Sequence, residues 1–339
     1  MGRVAAPAAR VRLPGPERLR RLRRTAAPRS LVRQTRLAAG QLVMPLFVVS
    51  GRNRVEPIAS LPGHARLSVD RAVENARELA RLGVGGVLLF GIPERKDEEG
   101  SGAADPSGPV PSALRALKGA GLPLVLAADV CMCEYTTHGH CGVIVDGEVD
   151  NDATLPLLAE AAVAYAHAGA DIVGPSGMMD GQVAALRAAL DGAGHDATAI
   201  MAYASKAASA FYGPFRDAAG STPAFGDRRG YQMDYANARE AMREMELDVR
   251  EGADILMVKP ALTSLDLLVR AQKRFDVPLA AYHVSGEVAM LEAAAEKGWI
   301  DRKSAALEEL TAIVRAGAGI VITYLAADAA RWIQEDAAR

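Results

Sequence analysis

The amino-acid sequence predicts an α/β fold, a (β/α)8 barrel with an extended N-terminal arm. Eight short apolar segments alternate along the chain with amphipathic patterns that are typical of helices. Each segment is almost continuously apolar and is bounded by Gly, Pro or Asp, as parallel strands buried on both faces are. The chain has 339 residues, half of them apolar, which is ample for a barrel of about 250 residues.

The eight candidate strands occupy residues 41–49, 85–92, 122–130, 170–176, 197–205, 253–260, 277–285 and 319–326. Helical patterns between them cover 68–83, 154–170 and 237–253, and we expect Ser68 to cap the first of these and Gly83 to end it. An open doubly wound sheet is the alternative, but no Gly-x-Gly-x-x-Gly follows the first segment. The Gly/Pro-rich stretches 101–111 and 219–231 are expected to be loops after strands, which form the catalytic face of a barrel.

The predicted domains are a basic arm, residues 1–40, and a barrel, residues 41–339. The arm carries eleven arginines and a single acid, Glu17, although the whole chain has a formal net charge of −2. Such an arm could bind nucleic acid or pack against protein. Because no aromatic residue is interleaved with the arginines to stack on a base, we expect packing against protein, between subunits or within the chain, and no nucleic-acid partner.

Composition disfavours several classes of protein. Three cysteines in a chain of this length do not form a disulfide scaffold. No apolar segment of the signal-peptide type follows the basic start, and apolar stretches such as 316–327 are too short or too interrupted to span a membrane. We therefore expect a soluble cytoplasmic protein, although a start rich in Ala and Arg also fits an organelle transit peptide.

Two lysines stand at the ends of neighbouring predicted strands, Lys206 on the fifth and Lys259 on the sixth. Lys259 follows four apolar residues, so burial and a second ammonium group nearby would both lower its pKa from about 10.4. A neutral amine is a nucleophile that forms a Schiff base with a ketone or aldehyde. Ion pairing with a carboxylate is the alternative for either lysine, and the presence of two favours the covalent chemistry.

A Gly/Pro-rich loop, residues 211–233, lies between the two lysines and carries Arg216, Arg228 and Gln232. A guanidinium group can hold a carboxylate in a bidentate fork. The loop therefore indicates a substrate with a carboxylate, and an ordinary solvated loop is the alternative.

The third strand ends in "DVCMCEYTTHGHC", residues 129–141, which contains every cysteine of the chain: Cys131, Cys133 and Cys141. Their spacing is not the Cys-x-x-Cys of zinc ribbons or thioredoxin-like redox pairs, and a disulfide would leave one thiol over. Three thiolates favour tetrahedral zinc with one position open for substrate or water. A fourth ligand, His138 or His140, would instead close a structural site. Placement at a strand end favours the open, catalytic site.

Six motifs in order along the chain carry a resemblance to a known family: "DVCMCEYTTHGHCG", "PSGMMDGQV", "MAYASKAASAFYGPFRDAAGS", "GDRRGYQM", "ILMVKPAL" and "YHVSGE". The chain resembles porphobilinogen synthase (5-aminolevulinate dehydratase) of the zinc-cysteine type, from the basic arm to "ITYLA". Gly177 is one departure, standing where Ala or Asp is expected. The resemblance implies a (β/α)8 barrel whose arm wraps a partner subunit in a homo-octamer. The implied reaction condenses two 5-aminolevulinate molecules into porphobilinogen with loss of two waters, an early step of heme biosynthesis.

The resemblance also implies a role for each site residue. Lys206 and Lys259 would form the Schiff bases, Lys259 with the substrate that becomes the propionate side. That substrate's carboxylate would bind Ser285 and Tyr324, and the other carboxylate Arg216, Arg228 and Gln232. Catalytic zinc would bind Cys131, Cys133 and Cys141, with His138 and His140 only shaping the loop. The pocket would also include Asp129, Ser176, Tyr203 and Phe211, and Glu244 would bind an allosteric magnesium. The rival enzyme class, a single-lysine aldolase, would need neither three cysteines nor a second lysine.

Overall fold

A computed structural model describes residues 18–337 of the chain. These residues divide into two units, one ending at Arg36 and the other beginning at Leu37. The described part of the first unit contains a 3-10 helix, Leu19–Leu22, and the short helix α1, Ala26–Leu31, in which no residue is buried. The first seventeen residues of the predicted arm lie outside the described residues.

The strands found in residues 18–337 are β1 (Leu42–Val49), β2 (Val55–Pro57), β3 (Ala65–Ser68), β4 (Gly86–Ile92), β5 (Val125–Val130), β6 (Ile144–Val145), β7 (Glu148–Val149), β8 (Ile172–Pro175), β9 (Ala199–Lys206), β10 (Ile255–Lys259), β11 (Leu279–His283) and β12 (Ile320–Thr323). Eight of them are parallel neighbours in the order β1-β4-β5-β8-β9-β10-β11-β12. The last, β12, pairs with β1 through Leu42 opposite Val321 and Val43 opposite Ile322, so the barrel is closed. Each of the eight overlaps one predicted segment, which confirms the (β/α)8 prediction and excludes the open sheet.

The helices found in the same residues are α1 (Ala26–Leu31), α2 (Val69–Arg81), α3 (Pro109–Gly119), α4 (Asn151–His167), α5 (Gln182–Gly192), α6 (Gly213–Ala219), α7 (Ala238–Glu251), α8 (Leu265–Arg274), α9 (Ser285–Glu296), α10 (Arg302–Ala316) and α11 (Ala326–Ala337). Within residues 18–337, no helix combines the length and apolarity needed to cross a membrane. The three predicted helices correspond to α2, α4 and α7. The loop predicted at 211–233 is partly wrong, since α6 lies inside it.

Ser68 is the N-cap residue of α2, as predicted, although its side chain makes no capping hydrogen bond to the described helix. Its hydroxyl instead donates to Asp70 Oδ1 at 2.6 Å and accepts from Arg54 N at 2.9 Å. Ser68 is also the last residue of β3, which pairs with β1 and β2. The hydroxyl therefore stabilises the β2–β3 segment that precedes α2. Helical periodicity in the sequence cannot predict these contacts.

Alternate residues of the barrel strands point to two different cores. On β10, Leu256 and Val258 belong to the larger core between strands and helices, whereas Ile255 and Met257 belong to a second cluster. This second cluster fills the barrel and contains five aromatic side chains from strands or strand ends: Phe47, Phe90, Tyr203, Tyr282 and Tyr324. Because side chains alternate along a strand, Lys259 at the end of β10 points inward, above this aromatic layer.

Candidate active site

A β-bulge brings the second lysine into the barrel. On β9, Ala202 and Ala204 belong to the outer core, so strict alternation would point Lys206 outward as well. The register between β9 and β10 shifts before the strands end, and Lys206 becomes the direct partner of Lys259. A bulge inserts one extra residue and re-aims the following side chain. Both lysines consequently line one small cavity at the carboxyl ends of the strands.

Ten side chains line this cavity: Phe90, Asp129, Cys133, Glu134, Ser176, Lys206, Tyr212, Phe215, Arg228 and Lys259. Six of them are predicted site residues from five segments far apart in sequence, namely Asp129, Cys133, Ser176, Lys206, Arg228 and Lys259. The fold therefore gathers the residues that the sequence marked only as strand-end or loop positions.

Lys259 lies among aromatic rings. Its Nζ is 4.1 Å from the ring centre of Tyr282 and 5.1 Å from that of Tyr203. The side chain is only 5 % exposed. Burial, with a further contribution from the charge of Lys206, lowers the pKa of Lys259 to about 7. Cation–π contacts stabilise an ammonium group, but desolvation dominates here, so a large fraction of Lys259 is the neutral amine at neutral pH.

Asp129 faces both lysines across the cavity. Ser176 Oγ donates to Asp129 Oδ2 at 2.9 Å, and Lys206 Nζ donates to the Ser176 carbonyl oxygen. Asp129 Oδ1 and the Tyr203 hydroxyl are buried and have no hydrogen-bond partner among the described residues. Burial raises the pKa of Asp129, and the charges of Lys206 and Lys259 oppose that rise. A carboxyl group poised in this way can hold a proton beside the amines.

The three cysteines meet at the end of β5 in the cysteine loop, residues 131–141. All are buried free thiols, and their Sγ atoms lie within 4.8 Å of one another. Cys131 Sγ and Cys133 Sγ are 3.4 Å apart, much farther than the roughly 2.05 Å of a disulfide bond. Hydrogen bonds from Cys131 and Cys133 hold the pKa of Cys141 well below its ordinary value. Three converging soft donors, one readily ionised, fit zinc.

Neither histidine of the loop belongs to the metal-ligand groups found in the described part of the chain. His140 is buried and both ring nitrogens are engaged, Nδ1 with the Tyr231 hydroxyl at 3.1 Å and Nε2 with the Phe225 carbonyl oxygen at 3.0 Å. His138 is outside the cavity, with Nε2 3.0 Å from the Glu98 carbonyl oxygen. That these rings only shape the loop stays a prediction.

Glu134 is a site residue that sequence reasoning missed. It lines the cavity, and its Oε1 atom is buried with no partner among residues 18–337. One of its carboxylate oxygens lies within 4.8 Å of ligand atoms of Asp129 and Cys131. Burial, reinforced by the charge of Asp129, raises the pKa of Glu134 to about 7. Its position as the one acid between Cys131 and Cys141 was an available signal.

The segment over the cavity, residues 210–233, is called the lid. Arg228 lines the cavity and donates from Nη2 to the carbonyl oxygens of Gly139 at 2.8 Å and Ser221 at 2.6 Å. Arg216 is half-buried, and burial together with the charge of Arg228 lowers its pKa. Polar atoms of Arg216 (Nε), Arg228 (Nε) and Gln232 (Nε2 and Oε1) are buried without a partner in the described chain. Because buried polar atoms normally have a hydrogen-bond partner, these groups are suited to bind a polar ligand.

Ser285, Tyr324 and Phe211 lie beside the cavity and are not part of its lining. Ser285 Oγ accepts a hydrogen bond from the backbone N–H of Phe215 at 3.0 Å, and the Tyr324 hydroxyl is 3.2 Å from that of Tyr282. A Cβ at Gly286 would lie 2.4 Å from the Phe211 carbonyl oxygen, so only glycine permits this close approach of α9 to the lid. The contacts of Ser285 and Gly286 connect the lid to the start of α9, just after β11, and the Tyr282–Tyr324 contact connects β11 to the end of β12.

Two basic residues outside the cavity anchor the lid, and the sequence did not indicate them. Arg66 donates from Nε to the Ala218 carbonyl oxygen at 2.6 Å and from Nη2 to the Asp217 carbonyl oxygen at 2.8 Å. Lys96 Nζ donates to the Gly220 carbonyl oxygen at 2.7 Å. Cations at a helix C-terminus complement its dipole and free carbonyl groups, so these side chains hold the end of α6 down.

Glu244 is not brought to the cavity. It is half-buried on α7, and the acids whose charges bear on it are Asp180, Glu251 and Glu240. Burial, followed by these charges, raises its pKa. Hard carboxylate ligands of this kind suit magnesium.

A parallel barrel with two buried lysines, a buried carboxyl group and a three-thiol cluster at its carboxyl end has the arrangement of an enzyme active site. The sequence model of the family described as "Delta-aminolevulinic acid dehydratase" matches residues 16–332. This match shows that the chain belongs to the delta-aminolevulinic acid dehydratase family.

Individual relatives agree with the family match. A delta-aminolevulinic acid dehydratase of Mycobacterium tuberculosis is 55 % identical over 324 residues, covering 94 % of this chain and 97 % of the relative. That of Synechococcus elongatus is 53 % identical over 320 residues, covering 93 % and 98 %. A crystal structure of the Toxoplasma gondii enzyme, described as bound to its product porphobilinogen, superposes with a TM-score of 0.92 at 45 % identity, covering 96 % of this chain and 93 % of that one.

Proposed function

We propose that the chain condenses two 5-aminolevulinate molecules into porphobilinogen, with loss of two waters, in heme biosynthesis. The observation that carries the proposal is the pairing of Lys206 and Lys259 across β9 and β10 inside a buried cavity. Two amines side by side suit a reaction that joins two copies of one ketone. The names of the relatives and the product in the Toxoplasma gondii structure support the same reaction.

In this proposal each lysine forms an imine with one substrate. The lysine nitrogen bonds to the ketone carbon, and the ketone oxygen leaves as water, so two imines account for the two waters lost. Lys259 reacts readily because burial keeps much of it neutral. The iminium group draws electrons from the neighbouring carbon and eases its deprotonation. When the carbon–carbon bond forms, one imine becomes a secondary amine, and its lysine then leaves as an amine while the adjacent carbon loses a proton. The amino group of a substrate displaces the other lysine from its imine, and loss of a last proton completes the pyrrole ring.

The carboxylates of the two substrates give the polar groups of the pocket their roles. Arg216, Arg228 and Gln232 would bind one carboxylate, and their unpartnered buried atoms support this assignment. Ser285 and Tyr324 would bind the carboxylate of the substrate on Lys259, beside Tyr282. Separate carboxylate sites would keep the two identical molecules in different orientations.

Asp129 and Ser176 would move protons next to the amines. The unpartnered Asp129 Oδ1 can take up or donate a proton while Ser176 holds the other oxygen. Tyr203 and Phe211 would complete the walls, and Lys259 Nζ lies 5.1 Å from the ring centre of Tyr203. The lid would exclude water from imines that otherwise hydrolyse.

Cys131, Cys133 and Cys141 would hold zinc, because their buried, converging thiols match its preference for sulfur. Bound zinc would supply Lewis acidity beside the amines.

We also propose that Glu244 is a ligand of an allosteric magnesium. A further proposal is that the basic arm, with exposed Leu19 and Leu31, packs on a neighbouring subunit of a homo-octamer.

The test is borohydride reduction in the presence of labelled 5-aminolevulinate, together with a colorimetric assay for porphobilinogen under reducing, zinc-replete conditions. We expect label on Lys206 and Lys259, and no product from Lys259→Met. Lys297→Met, at an exposed surface position, is the matched control and should stay active. Label on a single lysine without porphobilinogen would favour an aldolase. Absence of both product and label would refute the proposal.

A further inference from the structure

The lid is hydrogen-bonded directly to the cysteine loop. Ala224 N donates to the His138 carbonyl oxygen at 2.9 Å, and Arg228 Nη2 donates to the Gly139 carbonyl oxygen at 2.8 Å. The two backbones approach closely at Gly139, where a Cβ would lie 2.5 Å from the Thr222 carbonyl oxygen. The proposed metal site and the cover of the substrate pocket therefore share one tightly fitted junction.

A chain of side-chain hydrogen bonds crosses the same junction. Cys141 N donates to the Tyr231 hydroxyl oxygen at 3.4 Å, and that hydroxyl lies 3.1 Å from His140 Nδ1. His140 Nε2 lies 3.0 Å from the Phe225 carbonyl oxygen. One arrangement satisfies every group: the Tyr231 O–H donates to Nδ1, and the Nε2–H of a neutral His140 donates to Phe225. The chain runs from a proposed metal ligand to both ends of the lid segment 225–231.

We propose that Tyr231 and His140 are positioning residues that couple occupancy of the three-cysteine site to closure of the lid. The inference rests on the proposed metal function of the cysteines. A cation held by Cys131, Cys133 and Cys141 fixes the backbone of Cys141 and the adjacent carbonyl groups. Those groups are the partners on which the lid segment closes. With the site empty, the loop loses its fixed geometry and the lid loses its partners.

Coupling of this kind is reciprocal, since a metal that favours the closed lid must bind more tightly when the lid is closed. Hydrogen bonds between lid and loop therefore contribute to metal affinity, although no lid residue is a ligand. They also place Arg228, which lies in the same segment and lines the cavity. Metal loading thus prepares the carboxylate site before any substrate arrives.

The experiment measures zinc affinity, by competition with a chromophoric chelator, and hydrogen–deuterium exchange of residues 221–232 with and without zinc. Tyr231→Phe removes one hydroxyl and its two hydrogen bonds, and His140→Phe keeps a ring but removes both of its bonds. Tyr165→Phe is the matched control. It deletes a buried hydroxyl that contacts the cysteine loop at Tyr135, 3.3 Å away, without touching the lid.

In the unaltered chain, zinc should slow exchange across residues 221–232. Tyr231→Phe should bind zinc about tenfold more weakly, as the loss of two buried hydrogen bonds implies, and zinc should slow its lid exchange less. His140→Phe should behave alike, and Tyr165→Phe should match the unaltered chain. Failure of the unaltered chain to bind zinc would overturn the metal assignment and this inference together. Normal zinc binding, with lid exchange insensitive to zinc or affinities equal in all variants, would overturn this inference alone.

Discussion

Lys206 and Lys259 are register partners on β9 and β10, and a bulge turns Lys206 toward the same cavity as Lys259. Two neighbouring ammonium groups in a buried site repel each other and are both poorly solvated, so the charged state of each is unfavourable. The pKa of Lys259 falls to about 7, first through burial and then through Lys206. The geometry thereby provides one nucleophilic amine near neutral pH, and that property can be tested.

The rate at which borohydride traps substrate on Lys259 should rise with pH. Below a pKa near 7 the neutral amine increases about tenfold per pH unit, and above it the rate should level off. Lys206→Met removes a charge that lowers this pKa, so the inflection should move to higher pH. Mass spectrometry of the reduced adduct between pH 6 and 9 provides the measurement. An inflection that does not move in Lys206→Met would contradict the electrostatic argument.

Zinc content should depend on the cysteines and not on the outer histidine. Cys133→Ser replaces a soft thiolate with a weak oxygen ligand, so zinc per chain after dialysis should fall far below that of the unaltered protein. His138→Ala should retain its zinc, because that ring contacts the Glu98 carbonyl oxygen and the His140 N–H instead. Equal loss of zinc in both variants, measured by elemental analysis, would mean that the ligand set is wrong.

Loosening the anchor of α6 should weaken substrate binding. Arg66→Met removes two charge-assisted hydrogen bonds to carbonyl oxygens at the end of α6, each worth about 1.5–3 kcal/mol at most. We expect KM to rise several-fold and a protease to cleave the lid faster. Arg52→Met, at an exposed arginine in the loop after β1, is the control. Unchanged KM and unchanged lid cleavage in Arg66→Met would contradict the anchoring role.

Asp248→Asn should stabilise the protein increasingly as pH rises. Asp248 is buried on α7, and burial, followed by the charges of Glu244 and Glu251, raises its pKa from 3.8 to about 8. The folded state therefore binds the proton more tightly than the unfolded state. Stability from this group is complete below pH 3.8 and is lost progressively up to about pH 8.

Chemical denaturation of Asp248→Asn and of the unaltered chain should give similar unfolding free energies below about pH 4, where Asp248 is protonated in both the folded and the unfolded state. At pH 8 the variant should be more stable by a few kcal/mol, because it no longer buries a charge. Asp196→Asn, at an exposed position, should show no such trend. A stability difference independent of pH would show that Asp248 is not titrating in this range.

The eight strands were predictable because buried parallel strands are uniformly apolar and have polar residues at their ends. That pattern also located Lys206, Lys259 and the cysteine motif at one end of the barrel. The same pattern does not correctly predict the direction of every side chain. Alternation alone points Lys206 outward, and only the bulge, which depends on pairing with β10, corrects it.

The anchors of the lid could not be predicted, since they depend on contacts between distant segments. Arg66 meets Ala218 across 152 residues, and Lys96 meets Gly220 across 124. In sequence both look like ordinary surface cations. Glu134 was missed for a different reason. It lies next to Cys133 in a motif whose cysteines already accounted for the predicted site.

Closure of the barrel by β12 against β1 has a consequence for the newly made chain. The start of β1, at Leu42, is paired on both sides only after Val321 has been synthesised, roughly 280 residues later. At about 5–20 residues per second, synthesis of that stretch takes on the order of 15–60 s. Throughout this time the beginning of β1 is an unpaired apolar edge, since β3 covers only residues 47–49, and Tyr324, which follows β12, has not been made. The nascent protein is therefore inactive until almost its last strand has been made, and until then it carries an exposed apolar strand edge of the kind that promotes aggregation.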